Sequence, residues 1–458
     1  MIARPLARPR SPEVRLSHTK LPASLLLTYG GPMLALAYLL FFVQFYFLKF
    51  ATDVLLLPPA AVGMLFAIAK LWNAVSDPFV GSWSDRTRSR LGRRRPYLLA
   101  ALPLLVLGFA PLWTPPAELA TGATLTWVGA ALLLFYTAFT LYQLPHAALG
   151  AELSRDSHQR TRLFGVRQMS FTAGMLGAFA AIQVAMNADD PRAMAALLAV
   201  PGALVAAVLL AITPLAVREP EPDGVRSGGT GLLAGLRDVL RNPPARVLLL
   251  VYLVESVGVG AVGVMAPYVA EYLLLRPDVV GTLPAAYVIA GVVTIPLWVR
   301  VSRVVGKRET WLASMWLAAA AFGGMWFVGA GAVIPLMLLL IVAGAAMGSG
   351  SVLSASIMAD LIDVDEQHTG ERKEGVYSAA MQFVLKLGTT LTTAASGVLL
   401  HAAGFTPNVE QSPGSLLAIR LLFAGLPCVG FVVGGLLYWR ALRRPQPATR
   451  VAALPAGD

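Results

Sequence analysis

Long apolar runs alternate with short polar breaks along almost the whole chain. A helix that crosses a bilayer needs roughly 20 apolar residues. Runs of that length lie near 24–50, 59–84, 97–113, 125–150, 164–186 and 193–217. A polar stretch follows, E-P-E-P-D-G-V-R-S-G-G-T from Glu219 to Thr230, then an amphipathic piece to about Arg246. Six more runs lie near 247–274, 279–302, 309–329, 332–359, 375–403 and 414–439. The pattern predicts an all-α membrane protein with twelve transmembrane helices, read as six, a loop, and six. The corresponding division is a tail over 1–20, a six-helix unit over 21–217, a central loop over 218–246, a second six-helix unit over 247–440 and a tail over 441–458.

Composition agrees with that reading. The chain has 458 residues, of which 57% are hydrophobic and 13% charged. A soluble domain is nearer a quarter charged, so the missing charged surface is replaced by contact with lipid. Cys428 is the single cysteine, which excludes an intrachain disulfide and a cysteine metal site. The net charge is +11, and its distribution explains it. Basic residues crowd the first tail (Arg4, Arg8, Arg10, Arg15, Lys20), the loop after helix two, the loop after helix four and the last tail, whereas 114–124 and 330–332 carry none. Cytoplasmic loops are the basic ones. Both termini are therefore expected inside, and the positive charge reflects topology, not nucleic-acid binding.

An ionisable side chain within a spanning helix is expensive, so each one is a functional candidate. Helix two reads K-L-W-N-A-V-S-D-P-F-V-G-S-W-S-D from Lys70 to Asp85. Asn73, Ser76 and Asp77 stand at i, i+3 and i+4 and share a face. A carboxylate beside an amide and a hydroxyl suits a proton or Na⁺; a structural tie to a neighbouring helix is the alternative. Helix four places Thr140 and Gln143 on one face. Helix eleven carries Lys386 about 18 Å in from its start, too deep for easy snorkelling, so it wants an anion, and Asp77 is the obvious one. Glu255 on helix seven suits substrate binding, proton coupling or a structural ion pair, and the sequence does not choose among them.

Charge also gathers where helices end. Asp85 closes helix two and Arg86, Arg93 and Arg94 follow it; Asp360 and Asp363 end helix ten, and Arg372 precedes helix eleven. Breakable ion pairs among them would close a cytoplasmic gate, with topology and headgroup contact as the plain alternative. No Walker loop, metal-ligand pattern or nucleophile–base set occurs, so no cofactor, metal or enzymatic activity is expected.

Four stretches together resemble the glycoside–pentoside–hexuronide cation symporters of the major facilitator superfamily. They are W-N-A-V-S-D-P-F-V-G-S-W-S-D-R-T-R-S-R-L-G-R-R-R-P (72–96), Y-T-A-F-T-L-Y-Q-L-P-H-A-A-L-G-A-E-L (136–153), M-A-D-L-I-D-V-D-E (358–366) and G-V-Y-S-A-A-M-Q-F-V-L-K-L-G (375–388). The resemblance implies two six-helix bundles, a solute site between them and alternating access. It also implies cation-coupling roles for Asn73, Ser76, Asp77, Thr140 and Lys386, and a place in the substrate path for Arg167. Two departures stand out. The first acid of the family's cation site is Asn73 here, which favours H⁺ over Na⁺. The family's sugar-binding carboxylates fall on Ala37 and Gln143, which puts a galactoside-type substrate in doubt.

The expected activity is proton- or cation-coupled symport of a sugar or sugar-like small solute in a bacterial inner membrane, by a monomer. A carrier of lysolipids or other amphiphiles is the first alternative. A membrane scaffold or sensor without transport is the second.

Overall fold

The computed structural model describes residues 21–154, 156–219, 239, 241–369 and 374–442. The expected tails and most of the central loop lie outside these residues. Among the described residues there are twelve long helices. They are α1 (Ala23–Asp53), α2 (Pro59–Arg86), α3 (Arg95–Trp113), α4 (Thr121–Glu152), α5 (Ser157–Met186), α6 (Pro191–Ala216), α7 (Pro243–Leu273), α8 (Thr282–Val305), α9 (Lys307–Met325), α10 (Val333–Thr369), α11 (Glu374–Ala402) and α12 (Pro413–Arg440). All but α9 are long and apolar enough to cross a membrane by composition alone. The exception opens on Lys307, Arg308 and Glu309, yet it packs between α10 and α12 like its fellows.

The helix ends depart from the apolar runs where polar residues continue a helix beyond the lipid. The acidic segment at 358–366 is expected to end helix ten, but α10 runs on to Thr369, so the acids ride on its last turns. Likewise α7 begins at Pro243, a residue suited to a first turn. Prolines 78 and 145 stand inside α2 and α4, where each removes a backbone bond within the helix.

Packing within each half follows one scheme. In the first half α1 lies against α5 and α6, α2 against α4, and α3 against α4 and α6. In the second α7 lies against α11 and α12, α8 against α10, and α9 against α10 and α12. Adding six to each helix number converts one set into the other, so the protein is two six-helix bundles built on a repeat. An even number of crossings returns the chain to the face from which α1 starts. We refer to that face as the terminal face and to the opposite one as the far face.

The halves meet along α1–α7, α2–α11 and α5–α8. The α2–α11 seam is closest at Gly63 and Gly397, where a Cβ on either would stand 2.9 or 2.8 Å from the other's Cα. Both are glycine because two backbones touch there.

Candidate functional site

The α2–α11 seam brings together residues that sequence spacing had only aligned. Asp77 is joined across the seam to the Lys386 ammonium. Its other oxygen accepts from the Thr140 hydroxyl of α4 at 3.1 Å. Thr140 in turn accepts from the Asn73 amide at 2.5 Å, and the same amide nitrogen reaches the Tyr136 carbonyl at 3.4 Å. That second acceptor orients the amide, since only its nitrogen can donate. The result is a directed chain: amide to hydroxyl to carboxylate, with an ammonium on the far oxygen. Ser76 shares the helix face but not the network, because its hydroxyl bonds the Asn73 carbonyl of its own helix at 3.0 Å. The side chains of Asp77 and Lys386 are 23% and 25% exposed.

Two turns toward the far face, α2 contributes Lys70, which is buried. Its ammonium donates to the Thr393 hydroxyl of α11 at 2.9 Å and to the Thr389 carbonyl at 3.5 Å.

The residues expected along a substrate path are less closely grouped. Gln143 and Arg167 are half-buried and make no hydrogen bond or ion pair among the described residues, and the Arg167 Nε is buried without a partner. Ala37 is fully buried on α1. Nearby His146 is fully buried and stacked on Tyr29 at 4.3 Å, with its Nε2 on the Tyr29 carbonyl at 3.0 Å. It packs α4 against α1. Glu255 lies elsewhere, inside the second half's own core and facing Trp311 of α9 and Gly350 of α10.

At the terminal face, Arg93, Arg94 and Lys307 pair inside their own half. Arg94 meets Asp85 at 2.5 Å, Glu152 at 2.9 Å and the Ser84 hydroxyl at 2.6 Å, and Arg93 meets Glu152 at 3.3 Å. Burial opposes the charge on Arg94, but Glu152 and Asp85 outweigh it and raise its pKa above the ordinary guanidinium value. The Glu219 carboxylate accepts from the backbone N–H groups of Arg93, Arg94 and Arg95 at 2.6–2.7 Å. It thereby closes the positive end of α3. In the second half Asp360 pairs with Lys307 at 2.8 Å. Arg86 is exposed. The side chain of Asp363 and the whole of Arg372 lie outside the described residues. Among the described residues, the bonds that join the halves lie at mid-depth or toward the far face.

The tightest of those bonds involve residues that the sequence reading did not single out. Lys49 near the end of α1 is 3% exposed and joins Asp53, one turn on, and Glu271 of α7 at 2.9 Å. Tyr272 of α7 donates to Asp53, and the Lys49 ammonium stands 4.2 Å over its ring. Thr52 bonds both Asp53 and Tyr268, at 2.5 and 2.9 Å. Asn408, from the loop between α11 and α12, donates to the Asp53 carbonyl at 2.7 Å. Together they form a lock on the far side. Beside it is a cavity of about 220 Å³ lined in part by Lys49, Asp53, Glu271 and Asn408. On the opposite edge Gln183 of α5 accepts from the Gly281 backbone at 2.7 Å and donates to the Asp278 carbonyl.

Two pseudosymmetric bundles with an acid–lysine pair between them have the architecture of a multi-pass membrane transporter. The chain belongs to the MFS/sugar transport protein family, whose model matches residues 28–442. An uncharacterized symporter of Synechocystis sp. is 27% identical, over 92% of this chain and 94% of its own. The isoprimeverose transporter of Lactiplantibacillus pentosus is 26% identical, over 85% and 82%. The inner membrane symporter YicJ of Escherichia coli is 25% identical, over 86% of each chain. Among solved structures, the nucleoside transporter NupG superposes with a TM-score of 0.69 at 13% identity, covering 90% of this chain and 99% of its own. A bacterial homolog of the lysosomal transporter Spinster, in an inward-facing and unoccupied conformation, gives 0.67 at 15% identity, over 93% and 99%. These two likenesses establish the major facilitator fold.

Proposed function

We propose that the chain is a proton-coupled symporter of a sugar-like small solute, working by alternating access in a bacterial inner membrane with both termini cytoplasmic. The observation that carries this reading is Asp77, bound on one oxygen by Thr140 of its own half and on the other by Lys386 of the opposite half. A proton on Asp77 removes the charge that holds Lys386, so protonation and the seam between the halves are one equilibrium. In the conformation described here the far lock is closed and Asp77 is paired with Lys386. The working cycle alternates this state with one in which the seam has parted on the far side, Asp77 carries a proton and the solute is bound.

The ligand set favours H⁺ over Na⁺. Sodium requires several acceptor oxygens. Here the Thr140 hydroxyl and the Lys386 ammonium donate to Asp77, the Asn73 nitrogen donates to Thr140, and Ser76 is turned to its own backbone. Gln143 and Arg167 supply unengaged hydrogen-bonding groups for a polar solute, and Ala37 supplies none. A relative named as an isoprimeverose transporter supports a sugar-like cargo. The orientation follows the basic loops of the terminal face, and the inner membrane follows the YicJ relative.

The test is uptake into proteoliposomes under an imposed pH or Na⁺ gradient, across neutral glycosides, uronides and lysolipids. The expected result is accumulation of a sugar-like solute driven by the proton gradient and lost in Asp77→Asn. Accumulation by Asp77→Asn equal to the wild type would overturn the coupling. Uptake driven by Na⁺ alone would overturn the ion, and selective lysolipid uptake would overturn the cargo. Asn73→Asp restores a second carboxylate and is expected to add Na⁺ dependence.

A further inference from the structure

Glu255 is a carboxyl group that the coupling site does not use. It is 4% exposed, in the core of the second half, and has no cation paired with it among the described residues. The Trp311 indole of α9 lies beside it, with its Nε1 buried. The gap between them is defined by Gly350 of α10. A Cβ built on Gly350 would stand 3.4 Å from the Trp311 Nε1, and 3.7 and 3.9 Å from the two Glu255 oxygens. Gly350 therefore leaves a slot the size of a methyl group, flanked by the indole and the carboxyl.

The surroundings narrow what can occupy it. The titratable neighbours are phenols: Tyr252 on α7, Tyr287 on α8 and Tyr438 on α12, all within electrostatic reach of the carboxyl. The Tyr438 ring lies 4.7 Å from the Trp311 ring, edge to face. Arg308 and Glu309 face Tyr438 from the first turn of α9. The Tyr287 and Tyr438 hydroxyls are buried without hydrogen-bond partners. So is the hydroxyl of fully buried Ser349, the residue before Gly350. An ionised carboxylate here would be a buried charge without a counter-charge, which is far more costly than a neutral acid. An indole N–H donates and cannot ligate a cation, so the wall opposite the carboxyl does not suit a metal ion.

We infer that Glu255 is a second proton-binding site, in the core of the second half, held as a neutral acid beside the Trp311 indole and the backbone of Gly350. This site is separate from Asp77: it has no lysine, it does not lie on the seam between the halves, and it holds its proton in the conformation described here whether or not transport is proton-driven.

Infrared spectroscopy of the purified full-length chain, in a detergent without ester groups, tests this at neutral pH in H₂O and D₂O. The wild type and Asp77→Asn are expected to show a protonated carboxyl C=O band that shifts in D₂O and disappears in Glu255→Gln. Gly350→Ala places a methyl group in the slot at ordinary contact distances. It is expected to keep the band but move its frequency, as is Trp311→Phe. A carboxyl spectrum unchanged by Glu255→Gln would overturn the proposal. So would a Glu255-dependent band that neither Gly350→Ala nor Trp311→Phe moves, or one abolished by added Na⁺ or K⁺. Should Glu255→Gln not fold, the two slot variants alone decide, because both keep the carboxyl. If Asp77→Asn retained accumulation while the Glu255 band behaved as expected, the coupling assigned to Asp77 would fail and this site would stand.

Discussion

Two lysine–carboxylate clusters join the halves of this transporter, and they differ in how firmly each is held. Asp77 and Lys386 stand about a quarter exposed, and beyond each other the carboxylate has one further partner, Thr140. Lys49 and Asp53 are nearly sealed, and Asp53 is also gripped by Thr52 and Tyr272, with Asn408 on its backbone carbonyl. The first cluster can exchange its partner for a proton with little rearrangement. The second cannot lose its partner without leaving several polar groups buried and unpaired, which low dielectric makes expensive. One is built as a switch and the other as a latch. A carrier with two states of similar energy needs both, since a switch without a latch leaks and a latch without a switch never opens.

The largest expected effect comes from breaking the switch. Asp77→Asn keeps the shape and the Thr140 contact but removes the charge, so Lys386 loses its anion. Gradient-driven accumulation in proteoliposomes is expected to fall to simple equilibration, while exchange of labelled for unlabelled solute continues. Lys386→Gln leaves the carboxylate without its cation, and loss of one partner from a buried pair costs roughly 3–5 kcal/mol. With the pair a quarter exposed, the expected loss of thermal stability is below that range. Loss of exchange together with accumulation in Asp77→Asn would show that the residue holds the fold and does not couple.

Breaking the latch ranks next. Lys49→Met leaves Asp53 buried with no cation, and Lys49→Arg keeps the charge. With Cys428→Ser and a cysteine at Val54, which lines the cavity beside the latch, a membrane-impermeant maleimide reads opening on the far side. Lys49→Met is expected to label roughly tenfold faster, the equivalent of about 1.4 kcal/mol of a larger penalty for the broken pair, and Lys49→Arg close to the wild type. Equal labelling in all three would deny Lys49 a role in closure.

A smaller effect tests the approach to the switch. Thr140→Val preserves volume but removes the hydroxyl between Asn73 and Asp77. A neutral hydrogen bond of this kind contributes about 1 kcal/mol. Accumulation is expected to persist at a rate about fivefold lower, the equivalent of that 1 kcal/mol. A rate equal to the wild type would remove Thr140 from the coupling site.

What was readable in the sequence divides along the same line. Lys386 and Asp77 stood out because a charge deep inside an apolar run has no innocent explanation. Lys49 and Asp53 close the first apolar run next to a loop, where charges are ordinary, so nothing in their position marked them. The signal available was spacing, a lysine and an acid one turn apart on α1 with Glu271 at the corresponding end of α7, and it needs the repeat to be interpreted. The arginines after α2 were legible as a cluster, but not their acceptors Glu152 and Glu219, which lie 58 and 125 residues further along than Arg94. The twelve helices were legible because apolar length is a local property. Ends such as that of α10 were not, because a helix continues past the lipid when its own hydrogen bonds suffice. Ser76 shows the limit of periodicity: the shared face was correct, and the hydroxyl still turned to its own backbone.

The smallest expected effect distinguishes the parts of the latch. Glu271 is the second carboxylate on Lys49, at 2.9 Å, but its side chain is 31% exposed at the rim of the cavity. An ion pair that water reaches contributes about 0–1 kcal/mol. Glu271→Gln leaves the buried Lys49–Asp53 pair and its hydroxyl partners intact, so labelling at position 54 is expected to rise less than about fivefold, below that of Lys49→Met. The order carries the argument. If the latch owes its hold to burial and to the partners of Asp53, the exposed acid can be neutralised with little consequence. If Glu271→Gln opened the far side as far as Lys49→Met, closure would depend on the net charge around one ammonium, and the two clusters would then be switches of the same kind at different depths.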